Sequence, residues 1–267
     1  MVEKIQDAAG WLLKNRELRM DANSPIFRDD ERRVFLERYE FATKYCAGKR
    51  VLDGACGTGY GSSVLGRVAS SVVGIDCSDE AVAYATQTYG APNLSFRKSF
   101  VELTPFDPDS FDTVVSFETV EHTLCPRAHM MEIARLLRPG AGHAVLSIPN
   151  SWGFTDHHFF DFNLPLLKEI SGEFFSTSEF FYQNVGSSSA PAGIRPLSNG
   201  DVKAHCILAV CAGPRKEKVV GDRIQFIMNE IYANSFARHL DFLTLMYRQN
   251  TSISQRAINW LRARLKA

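Results

Sequence analysis

Between residues 49 and 62 the chain reads KRVLDGACGTGYGS. An apolar run that ends in an acid, Asp53, is followed at once by Gly54, Ala55, Gly57, Gly59 and Gly61. Glycine loses more conformational freedom on folding than any other residue, so such a cluster marks backbone that turns sharply or lets something approach closely. The residues before the turn have the short apolar texture of a strand, and YGSSVLGRVAS after it that of a helix. A strand-to-helix turn restricts the chain to crossover units, in which successive strands run parallel and helices cover the sheet.

The alternation continues downstream. SVVGID, NLSFRK, FDTVVSFE and HAVLSIPN read as further strands. SDEAVAYATQTY reads as a helix capped by Ser78 with acids in its first turn, and residues 126–138 as another that stops at Pro139-Gly140. After Asn150 the texture changes, and residues 152–182 carry ten of the chain's 30 aromatics. Within that stretch NLPLLKEI predicts a short helix capped by Asn163, and FFSTSEFFYQN a strand. VGSSSAPAGIRPLSNGD reads as a loop and KAHCILAVCAG as a last strand, antiparallel to the one before. The expected fold is α/β: a doubly wound, mostly parallel seven-stranded sheet with an antiparallel terminal hairpin, plus a helical C-terminal extension. The boundaries are an N-terminal helical lead at 1–30, a main domain at 31–213 and a basic extension at 214–267.

Thirty Lys and Arg balance thirty Asp and Glu over the 267 residues. Residues 214–267 nevertheless hold ten basic residues against four acids, a net +6, which leaves residues 1–213 at −6. A catalytic module of that sign argues against a nucleic-acid partner. In the extension, Ile253, Ala257, Trp260, Leu261 and Leu265 recur at helical spacing among basic residues. Such a helix suits peripheral contact with an anionic membrane, or docking on its own domain or on a second subunit, a homodimer. The six cysteines at 46, 56, 77, 125, 206 and 211 have no CxxC spacing and read as reduced thiols. With no signal-like leader and no long apolar run, the expected location is cytoplasmic.

In a doubly wound sheet, ligands sit beyond the carboxyl ends of the strands, where the first βα turn lies. The second strand ends in Asp76, 23 residues after Asp53, where a carboxylate can take both hydroxyls of a ribose. A dinucleotide fingerprint needs G-x-G-x-x-G, and here the third position is Ser62 or Val64, so that pattern fails. What stands in the sequence, D-x-x-C-G-x-G-Y-G followed by Asp76, SFVELTPFDPDSFDTVVSFETVEH and LLRPGAG, resembles the class I S-adenosylmethionine-dependent methyltransferases over roughly residues 31–213. RYEFA, ACGTGYGS and SFETVEH look like the members that modify small molecules and glycans. Ala55 stands where that family usually has glycine, and ELTPF is one residue longer than the common form.

The resemblance implies S-adenosylmethionine as cofactor, S-adenosylhomocysteine as product, and a set of roles. Asp53, Gly54, Ala55, Gly57 and Gly59 would face the methionine part, with Asp53 accepting from the amino group. Asp76 would hold the ribose, Cys77 would flank the adenine, and Ser99 with Phe100 would meet its edge. Arg38, with Tyr39 beside it, could close over the carboxylate, and Phe117 ends the fourth strand beside the cofactor. A hydroxyl acceptor must lose its proton as it attacks, which asks for a base. His122 is the candidate, since imidazole titrates near about 6.5, whereas Glu118 and Glu121 start from about 4.3. Glu118, Trp152, Phe154, His157 and His158 are the candidate acceptor-binding residues. No metal is expected: Asp156, His157, His158 and Asp161 form one short cluster, and adjacent histidines point apart. The reading is transfer of a methyl group to a hydroxyl or amine of a small-molecule or sugar-type acceptor. A nucleic-acid methyltransferase and a non-catalytic cofactor-binding protein are the alternatives.

Overall fold

Five strands of the first half run parallel because a helix returns the chain to the same end between most of them. The computed structural model describes residues 7–15, 20–123, 125–150, 158, 160–184, 193–197 and 206–230. The parallel strands are β1 (Arg50–Gly54), β2 (Ser71–Asp76), β3 (Leu94–Lys98), β4 (Thr113–Phe117) and β5 (His143–Pro149). Their spatial order, β3-β2-β1-β4-β5, puts the switch of winding direction between β1 and β4. Asp53 lies beside Gly74 and Val115, and Phe117 beside Ser147, so the carboxyl ends meet along one edge.

The helices are α1 (Ala8–Lys14), α2 (Asp29–Cys46), α3 (Tyr60–Gly66), α4 (Asp79–Tyr89), α5 (Pro126–Leu136) and α6 (Leu164–Phe174). Their starts follow the capping signals. Ser78 accepts from the Ala81 N–H at 3.2 Å and Asn163 from the Leu166 N–H at 3.0 Å, each satisfying an orphan donor of a first turn. Tyr39, Ala42 and Cys46 of α2, Val64 and Leu65 of α3, and Val51, Val72 and Val115 of the sheet form one buried cluster. Each fully buried side chain of this size contributes roughly 1.5–3 kcal/mol.

The sheet has eight strands rather than seven. β6 (Phe175–Asn184), β7 (Gly193–Pro196) and β8 (Cys206–Pro214) extend it in the order β5-β8-β6-β7, with β8 antiparallel to both neighbours. The extra strand, β7, falls in the Ser/Gly/Pro stretch read from sequence as a loop. It pairs antiparallel with β6, Tyr182 opposite Arg195. Four residues ending in a proline give no readable period, and an edge strand tolerates that proline because its outer side needs no ladder donor. The antiparallel pairing of the last two long segments is as expected.

Five of the six cysteines are buried and Cys77 is exposed. Among the described residues no helix is long and apolar enough to cross a membrane. The chain divides into two units, Met1–Gly221 and Asp222–Ala267. In the second, residues 223–230 are helical, and the basic amphipathic stretch beyond them lies outside the described residues.

Candidate functional site

The glycine turn is built for shape as much as for access. Ala55, Gly57 and Gly59 all have left-handed backbone, with φ of 60°, 56° and 84°. Three such residues in five positions curl the loop back on itself, and only small side chains tolerate it. A Cβ at Gly59 would stand 2.7 Å from Ala85 Cβ and 2.8 Å from the Phe96 ring, so this glycine lets α3 pack against α4 and β3. A Cβ at Gly61 would fall 1.9 Å from the Tyr39 ring. The last two glycines of the motif therefore serve packing.

That Tyr39 contact leads to Asp53, which is fully buried. Ser62 Oγ donates to its Oδ2 at 2.6 Å and the Tyr39 hydroxyl to its Oδ1 at 3.3 Å. Burial pushes the Asp53 carboxyl up to about 7, against the pull of those two donors. Asp53, expected to meet a ligand's amino group directly or through water, ties α2 and α3 to β1 behind the loop. Phe117 is also buried and packs edge-on against Tyr39, ring centres 5.0 Å apart.

Asp76 lies where the sequence reading put it, at the end of β2. Its carboxylate accepts from the Gly57 N–H at 3.1 Å and the Ser78 N–H at 3.0 Å, so it also sets the glycine loop. Beside it, the Ser99 N–H donates to the Asp76 carbonyl at 3.0 Å, Cys77 is exposed, and the Phe100 side chain is 64% exposed. An aromatic ring this bare at the carboxyl edge offers a flat apolar face.

Across the edge, Arg38 is buried on α2. Its Nε donates to Gln183 Oε1 at 2.7 Å, while Nη1 lies 3.4 Å from Glu118 Oε1 and makes no hydrogen bond among the described residues. Glu118 follows β4 with φ 47°, an unusual conformation for a side chain of its size. It is held there by Ser147 Oγ, which donates to Oε1 at 2.8 Å, and by the Cys206 thiol at 3.5 Å. Sequence reasoning missed Gln183, Ser147 and Cys206, because nothing local marks a residue that meets Arg38 or Glu118 only through the sheet order. It also missed Asp21, whose carboxylate accepts from the hydroxyls of Tyr84 at 2.8 Å and Tyr89 at 2.7 Å. One residue before it, the Met20 carbonyl accepts from Thr58 Oγ1 at 2.6 Å, which lays the N-terminal lead over the glycine loop.

His122 ends a 3-10 turn, Val120–His122, after β4. Its side chain is 38% exposed and its Nε2 lies 3.7 Å from Glu121 Oε1. Glu121 is fully buried, and neither carboxylate oxygen has a hydrogen-bond partner among the described residues. Burial, with the nearby charge of Glu118 adding to it, pushes Glu121 well above the usual carboxylate range. The His158 ring stands edge-on to that of His122, centres 4.9 Å apart. Trp152, Phe154, Phe159 and His157 lie outside the described residues, whereas Phe162, Phe174 and Phe175 are core.

Residues 52–145 match the model of a family described as a methyltransferase domain. A Mycolicibacterium smegmatis protein named "Probable S-adenosylmethionine-dependent methyltransferase" is 28% identical over 69% of this chain and 74% of its own length. The ubiquinone biosynthesis O-methyltransferase of Paracidovorax citrulli is 36% identical over 35% of this chain and 41% of its own. The fold resembles that of an S-adenosylmethionine-dependent methyltransferase from Thermotoga maritima, with a TM-score of 0.57 at 15% identity over 70% of this chain and 91% of that one. The residues suit that cofactor: a buried guanidinium at the carboxyl edge, a curled loop of small residues, Asp76 at the end of β2 and a bare Phe100. Motif order, fold and matches together support an S-adenosylmethionine-dependent methyltransferase, with S-adenosylmethionine as its cofactor.

Proposed function

We propose that the chain methylates a hydroxyl of a small-molecule or sugar-type acceptor that enters between the ends of β4 and β5. The cofactor, when bound, supplies an electrophilic methyl group on a cationic sulfur. Arg38 would meet its carboxylate, Asp76 its ribose, and Cys77, Ser99 and Phe100 its adenine. Holding two reactants in line removes roughly 7–11 kcal/mol of barrier, and the rigid carboxyl edge of the sheet supplies that alignment.

The observation that carries the hydroxyl reading is the position of His122. It is half-exposed on the turn after β4, with the Glu121 carboxyl 3.7 Å from its Nε2 and His158 alongside. An amine acceptor that arrives unprotonated needs no such group; a hydroxyl does, because its proton must leave as oxygen attacks carbon and the methyl–sulfur electron pair returns to sulfur. His122 assists that proton loss. The partial relative whose name specifies O-methylation points the same way. Replacing His122 by alanine is expected to lower turnover on the hydroxyl acceptor by roughly 10²–10⁴-fold while cofactor affinity stays put. Turnover equal to wild type would remove His122 from the chemistry and shift the reading to an amine acceptor.

A further inference from the structure

The end of β4 holds a set of groups that the sequence reading did not bring together. Glu121, His122 and His158 each present one ligand atom, and the three atoms lie within 4.8 Å of one another. In sequence 36 residues separate the two histidines, so their meeting is a product of the sheet edge. Glu121 supplies an independent observation. Both its oxygens are buried and without a hydrogen bond, in a protein where buried carboxylates elsewhere, Asp53 and Glu132, are paired. A carboxylate left so is costly unless something else meets it.

We propose that Glu121, His122 and His158 bind one divalent first-row transition ion at the acceptor mouth. Two imidazole nitrogens and one carboxylate oxygen suit zinc, iron(II), cobalt or nickel and do not suit magnesium or calcium, which take oxygen ligands. A tetrahedral ion about 2.1 Å from each ligand holds its ligands about 3.4 Å apart, so the 3.7 Å Glu121–His122 spacing is near that and the widest pair, within 4.8 Å, closes by at most about 1.4 Å. Three protein ligands leave a position open, as in catalytic sites. That position faces the acceptor, and an acceptor hydroxyl placed there would have its pKa lowered as a bound water's is. His122 then assists proton loss through the ion, and the proton passes to solvent. This role rests on the hydroxyl reading above; the binding of the ion does not.

The test is calorimetric titration of the full chain with zinc alone, together with cobalt(II) absorption in the visible region, on wild type, His158→Ala and Glu121→Gln. Wild type is expected to bind one ion per chain and to give the cobalt bands of a nitrogen- and oxygen-ligated ion. Each substitution is expected to weaken binding by about tenfold or more. His158 is half-exposed, so its alanine variant keeps the core, and a melting curve checks this. No binding by wild type, or equal binding by wild type and a folded His158→Ala, overturns the site. If wild type binds no ion while His122→Ala still abolishes turnover, the site fails and the hydroxyl reading stands. If the ion binds at these residues but only amines are methylated, the site stands and that reading fails.

Discussion

Arg38 and Gln183 meet across 145 residues of sequence: the guanidinium Nε donates to the amide Oε1 at 2.7 Å, with both side chains buried. The amide nitrogen of Gln183 in turn donates to the Val34 carbonyl at 2.9 Å and to Glu37 at 3.1 Å. β6 thereby fixes the guanidinium that α2 carries. Gln183→Ala takes the acceptor from a buried guanidinium N–H and a second donor from the Val34 carbonyl, which α2 also bonds, and is expected to cost about 1–3 kcal/mol. Chemical denaturation measures it; a change below about 0.5 kcal/mol would show that water takes over both bonds.

Gly61→Ala sets two effects against each other. Alanine is the better helix former by about 1 kcal/mol. The new methyl, however, would stand 1.9 Å from the Tyr39 ring. That ring is pinned edge-on by Tyr60 and Phe117, with centres 5.4 and 5.0 Å away, and has little room to yield. Overpacking of this kind costs about 1–3 kcal/mol, so a lowered melting temperature is expected. A raised one would mean that the ring moves freely.

Asp76→Ala removes the acceptor at the end of β2 and the anchor of the Gly57 N–H. Cofactor affinity is expected to fall by about 1–3 kcal/mol, read by calorimetric titration. Unchanged affinity in a variant that melts normally would remove Asp76 from the ribose.

Acid stability should carry the mark of His129. Buried on α5 between Ser116 Oγ, 3.1 Å from Nε2, and the Val101 carbonyl, 3.3 Å from Nδ1, its imidazole is held down by burial at about 4. An unfolded histidine titrates near about 6.5. As pH falls from about 6.5 to 4 the unfolded chain gains a proton that the folded one refuses, so roughly 3 kcal/mol of stability is lost over that window. Asp53 works in the opposite sense: with a folded value of about 7, it keeps its proton in the fold where the unfolded chain releases it, and adds stability as pH falls from about 7 to 4. The wild-type curve mixes both. The difference between wild type and His129→Gln isolates the histidine, and an identical pH slope in the two would show that the ring takes up its proton in the fold as readily as in the unfolded chain.

The sequence alone determined what local chemistry can determine. Strand and helix alternation, the caps Ser78 and Asn163, the glycine turn and Asp76 at the end of β2 were all legible, because each is set by neighbours within a few residues. Tertiary structure decided what depends on strand order. It inserted β8 between β5 and β6, added β7 at the edge, and so brought Gln183 and Cys206 to Arg38 and Glu118. It made Asp53 a buried tie between α2, α3 and β1, since the Tyr39 ring that covers it sits there only because Gly61 gives it space. It also set His158 against His122 and Glu121. A contact between residues far apart in the chain leaves no period or spacing to read, because it is fixed by where the sheet's edges fall rather than by the residues between.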